Sequence, residues 1–180
     1  MEKSPKGLWL ALLFVLILFH PLTAVAEQLK TRYATVHYAE TELLYEFDDE
    51  LYIGRQLGRM LKGMRSVSRQ DDIKNKIDLV VEKVELVLDM FPATIHFTLV
   101  LLPSRKDVQK IYRDKYGKEV DHIAYYSLTE KTIYIAVDDA SLRVFSHEVA
   151  HMIVDHYFEV RPPYRIHEVL AQYAEEHVTD

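Results

Sequence analysis

Residues 147–151 read His147, Glu148, Val149, Ala150, His151: two imidazoles four positions apart, with a carboxylate beside the first. Such a pair works together only on a helix. At about 100° per residue the two histidines lie within about 40° of each other, and Glu148 stands about 100° round from His147. The same arithmetic gathers Leu142, Phe145, Val149, Met152 and Ile153 into a sector of roughly 100° on the opposite side. The segment is therefore expected to be a helix with its back in a core and its histidine face turned toward an opening, where both imidazoles can reach one metal ion.

An H-E-x-x-H helix suits zinc, with the glutamate as general base for a metal-activated water. Tetrahedral zinc needs a third protein ligand, and a catalytic site keeps its fourth position for water. That ligand must lie downstream. The metzincin continuation would place glycine and histidine where this chain has Val154 and Tyr157, so that branch is excluded. Asp155 falls on the metal side of the same helix one turn on, better placed for a supporting contact than for ligation. The final helical segment offers Glu168.

The surroundings read as helices interleaved with β-like runs. Leu43, Phe47, Leu51, Leu57 and Leu61 predict one amphipathic helix over about residues 40–64. Ile73, Ile77, Val80, Val81, Val84 and Leu88 predict a second, capped by Ser68 and ended by Pro92. Residues 94–102, rich in β-branched and apolar side chains between two prolines, predict a buried strand. Ser104 with Asp107 is the cap signature of a further helix, and Gly117 lies just past its end. Residues 123–127 and 132–137 have hairpin spacing. Asp138, Asp139 and Ser141 offer caps for the histidine helix, expected to run to about Phe158, and Pro162 and Pro163 separate it from a last helix over residues 164–177. With no repeat and no long linker, residues 27–180 read as a single domain.

Lys3 and Lys6, an apolar run over residues 8–19, and Ala24, Val25 and Ala26 before Glu27 make up the three parts of a secretory signal. Residues 1–26 are accordingly expected to be a signal peptide cleaved after Ala26. The run is shorter than the roughly 20 residues that span a bilayer. A periplasmic or secreted protein of a bacterial envelope is expected; a protein anchored in the membrane by residues 8–19 is the alternative, the only case in which the membrane is a partner. The chain has no cysteine, which excludes disulfide scaffolds and thiol catalysts and leaves a core or a metal to hold an exported domain. A net charge of −6 without a run of lysines and arginines argues against nucleic acid as a partner.

Residues 122–177 resemble the core of the gluzincin metallopeptidases, particularly the small peptidase-MA-like members, in which HExxH is followed downstream by a helix reading roughly EGLAEY. Here that helix reads Glu168, Val169, Leu170, Ala171, Gln172, Tyr173. The resemblance implies His147, His151 and Glu168 as zinc ligands and Glu148 as the catalytic glutamate. It also implies an α+β zincin-like domain: a small, mostly antiparallel sheet, the HExxH helix, and a C-terminal helix carrying the third ligand. The hairpin is similar to the upper rim of thermolysin-type sites, so that Ala124, Tyr125 and Tyr126 would pair with substrate backbone. Val169 replaces the family's glycine, His167 its asparagine or serine, and Gln172 an aspartate that orients a ligand histidine; an amide accepts the same imidazole N–H without its charge. No aminopeptidase-type GxMEN signature precedes the motif, which disfavours exopeptidase action.

The expected function is zinc-dependent endopeptidase hydrolysis of a peptide or protein substrate. The alternative is a catalytically inactive, zinc-stabilised envelope protein that binds a partner through the same groove. Glu148 separates them, since a binding module has no evident use for it.

Overall fold

The computed structural model describes residues 27–180. The expected signal segment lies outside the described residues, and among these no helix is long and apolar enough to cross a membrane. The described chain is one α+β domain. Two short strands, Glu27–Lys30 (β1) and Ala34–Tyr38 (β2), precede helices Thr41–Glu50 (α1), Gly54–Lys62 (α2) and Arg69–Leu88 (α3). Strand Phe97–Leu102 (β3), helix Arg105–Tyr116 (α4), the hairpin Ala124–Ser127 (β4) and Thr132–Ala136 (β5), and helices Leu142–Tyr157 (α5) and Tyr164–His177 (α6) follow.

The five strands form one sheet in the order β1-β2-β3-β5-β4. It is mixed, not mostly antiparallel as expected: β1–β2 and β4–β5 are antiparallel, whereas β2–β3 and β3–β5 are parallel. The connections explain the difference. Helices α1 to α3 carry the chain from β2 to β3, and α4 with β4 carries it from β3 to β5, crossovers long enough to bring a strand back in the same direction.

Strand alternation sorts the side chains into two cores. Phe97, Leu99, Leu101, Ile133 and Ile135 join buried residues of α1, α2, α3, α5 and α6 on one face. Tyr134, Ala136 and Tyr125 meet Val108 of α4 on the other. Every residue of β5 is buried, as a strand covered on both faces should be. Strand β4 is left at the sheet's edge, beside α5.

Three caps form where serine predicts them. Ser68 accepts the Asp71 N–H at 3.1 Å, Ser104 shares a reciprocal capping box with Asp107, and Ser141 accepts the Val144 N–H at 3.3 Å. Gly117 closes α4 at φ 65°, a conformation that costs glycine little. The helix expected over 40–64 is broken at residues 51–53. Leu51 and Ile53 are both buried, and alternate residues can share one side only where the backbone leaves the helix. Strands β1 and β2 were not anticipated, although Ala34, Val36 and Tyr38 are buried in strict alternation with Thr35 and His37.

Candidate metal centre

Helix α5 fixes the site by what it buries behind it. Phe145, Val149, Met152 and Ile153 are fully buried, and Phe145 meets the Phe47 ring edge-on at 5.8 Å. The opposite side is left to His147 and His151, whose rings stand 4.8 Å apart with their Nε2 atoms at 3.2 Å. Helix α6 starts directly behind Pro162 and Pro163 and packs on α5. Ala171 and Ala174 are fully buried in that helix, small enough to admit a close approach. Glu168 is thereby carried to the histidines, with Oε1 3.4 Å from His151 Nε2 and Oε2 3.8 Å from His147 Nε2. The donor atoms of the three residues lie within 4.8 Å of one another, a group able to hold a metal ion.

The supporting contact comes from Glu175, a residue that the sequence marks as dispensable for the metal. Glu175 Oε2 lies 3.1 Å from His147 Nδ1, and its other oxygen accepts from Arg143 Nε at 3.1 Å. Glu175 is two helical turns beyond Glu168 and hence on the same face of α6, whereas Gln172, one turn on, is exposed. Asp155 also does not reach an imidazole. It accepts the Tyr126 hydroxyl at 2.9 Å and pairs with Lys131, tying α5 to the β4–β5 hairpin. Glu175→Ala is accordingly expected to lower metal affinity by about 10- to 100-fold, and Gln172→Asp to leave it unchanged. Competitive titration against a chelator reads both; unchanged affinity in Glu175→Ala would show that His147 keeps its orientation unaided.

Glu148 lies beside the trio and is itself buried. Burial pushes its carboxyl up to about 8; the Tyr126 backbone N–H pulls the other way, and the charges of Glu168 and Glu175 raise it further. His151 is held down to about 3, by burial first and then by His147, His167 and Arg161. In metal-free protein Glu148 therefore binds its proton more tightly folded than unfolded, and stability falls as pH rises from the ordinary 4.5 through about 8. His151 resists protonation, and stability falls as pH drops from the ordinary 6.5 toward about 3. Chelator-treated protein should melt highest at about pH 5 to 6. Its decline toward pH 8 should be absent from Glu148→Gln. Calorimetry across pH checks this, and equal declines in the two proteins would remove Glu148 as the source.

A cavity of about 510 Å³ opens onto the site between β4, Tyr112 and Tyr116 of α4, and Arg161 and Tyr164. The Ala136 N–H donates to the Ile123 carbonyl at 2.9 Å, which sets the phase of the hairpin ladder. Tyr125 and Ser127 thus turn their backbone groups to β5, while Ala124 and Tyr126 turn theirs outward at the free edge. Both line the cavity. Tyr125 also borders it, but its ring stacks on Tyr134 at 4.9 Å toward α4.

Two residues at the site, Tyr164 and Arg161, lay outside the sequence reading, and His167 entered it only as a departure from the family pattern. Tyr164, one turn before Glu168, lines the same cavity. His167 is buried and stacks on the His151 ring at 5.9 Å. Arg161 Nε donates to His167 Nε2 at 3.4 Å. Helical spacing from Glu168 signals Tyr164 and Glu175; no sequence pattern marks Arg161. No family model matches the chain, and neither does any curated protein or solved structure.

Proposed function

We propose that the protein is a gluzincin-like zinc peptidase, an endopeptidase that hydrolyses peptide bonds with Glu148 as general base. The observation that carries this reading is the convergence of His147, His151 and Glu168 on one point, with Glu148 buried beside it and not among the ligands. Donor atoms on tetrahedral zinc, with bonds of roughly 2.0–2.2 Å, stand about 3.3 Å apart. His151 Nε2 stands 3.2 Å from His147 Nε2 and 3.4 Å from Glu168 Oε1, close to that spacing, and one donor atom from each of the three residues lies within 4.8 Å of the others. Two imidazoles and a carboxylate are a zinc donor set, and the depressed pKa of His151 keeps its ring in the neutral form that binds metal.

Zinc held there would polarise the scissile carbonyl and acidify a water molecule. Glu148 then takes a proton from that water and passes it to the leaving amine. In the metal-free protein burial raises that carboxyl, and the charge of a bound divalent ion would lower it toward the ionised form that a general base needs. The outward backbone groups of Ala124 and the outward carbonyl of Tyr126 offer an extended substrate a strand edge to pair with. A zinc-stabilised binding module would need the histidines but would bear the cost of burying Glu148 without using it. Residues 1–26, acting as an export signal, would put this activity in the periplasm or outside the cell.

Metal analysis of the purified mature protein, paired with digestion of a peptide library, tests the reading. One zinc per chain and cleavage at internal bonds are expected. Zinc without cleavage would favour the binding module, and protein that takes up no zinc would remove both.

A further inference from the structure

Among the described residues, Arg161 is the only lysine or arginine lining the cavity. Other carboxylates of the site have their own partners: Asp155 has Lys131 and the Tyr126 phenol, Glu175 has Arg143 and His147, and Glu168 has the two histidines. None of the described carboxylates pairs with Arg161. It shares the cavity lining with Tyr126, His151 and His167. It is held in place as well. Pro162 and Pro163 follow it and restrict the backbone, and Nε is tied to the ring of His167, which is 2% exposed. Nε is thus occupied while the two terminal nitrogens, the fork that grips a carboxylate with parallel hydrogen bonds, are left for a ligand.

His167 stacks on His151, so the guanidinium stands one imidazole beyond a ligand of the candidate metal. With a divalent ion bound, that ion and Arg161 outweigh Glu148 and Glu168 and leave the cleft positive. An anionic group on the substrate would restore the balance.

We propose that Arg161 binds a substrate carboxylate, so that the preferred substrates are peptides carrying one within about one or two residues of the scissile bond. This rests on the peptidase reading of the site. The carboxylate can be the peptide's own C-terminus or an Asp or Glu side chain, since both present the same two oxygens to the fork.

Zinc-loaded Glu148→Gln protein separates binding from cleavage and is titrated with dye-labelled pentapeptide pools in three forms. One form ends in a free carboxylate, one in a carboxamide, and one in a carboxamide with an internal glutamate. Binding of one or both carboxylate forms at least ~10-fold tighter than the plain amide is expected. Arg161→Gln, added to the same background, should abolish that preference at unchanged zinc content, and Arg161→Lys should keep part of it. Preference for the free acid alone assigns the C-terminus, and preference for the internal glutamate alone assigns a side chain. Equal binding of the three forms, no binding of any, or a preference that survives Arg161→Gln overturns the proposal. Wild-type protein keeps this outcome apart from the parent reading. Cleavage of acid and amide pools alike would remove the carboxylate site and leave the peptidase, whereas Arg161-dependent binding of acids that are never cut would do the reverse.

Discussion

Glu168→Ala protein is expected to lose zinc as thoroughly as His151→Ala, with affinity falling by more than the ~10- to 100-fold that a supporting contact costs. Each change removes one of only three protein donors, and a two-donor site cannot hold the ion against water. Asp155→Ala should behave differently. Its carboxylate binds Tyr126 and Lys131 and touches no imidazole, so zinc should be retained while the hairpin loses a buried anchor worth about 1–3 kcal/mol. Equilibrium dialysis against zinc, with thermal melts of the same proteins, reads both effects. Equal zinc occupancy in wild type and Glu168→Ala would mean that the third ligand lies elsewhere.

The parts of this molecule that could be read in advance are those whose causes are local. Ser68, Ser104 and Ser141 cap helices because the hydroxyl and the N–H it satisfies are three residues apart. His147, Glu148 and His151 are legible for the same reason, being one turn of one helix. Strand direction is not local. The sheet's mixed character follows from the crossovers between β2 and β3 and between β3 and β5, which no window of sequence contains. The break between α1 and α2 belongs with it, because Leu51 and Ile53 leave the helical pattern to reach a core built from other segments. At the site the same division holds. A downstream helix and a resemblance to one family pointed to Glu168, which the fold does bring to the histidines, but the same resemblance pointed to position 172 for the orienting group. Packing of α6 on α5 instead presents position 175, because the side of α6 that carries Glu168 meets His147 again two turns later.

Glu148→Gln is expected to fold, to bind zinc as wild type does, and to hydrolyse peptides at least ~10²-fold more slowly. Glutamine keeps the length and hydrogen-bonding shape of the side chain, so the Tyr126 N–H still finds an acceptor, but its amide cannot take a proton from water. The change also relieves the cost of ionising a buried carboxyl. Metal-free Glu148→Gln should therefore be at least as stable as wild type at pH 8, where the native carboxyl is forced to charge in the interior. Lost turnover could not then be ascribed to unfolding. Purified protein is assayed by single-turnover cleavage of a peptide found in the library digestion, with zinc content measured on the same sample. A wild-type rate would take the general base away from Glu148. A slow rate with zinc missing would instead make Glu148 a support of the metal.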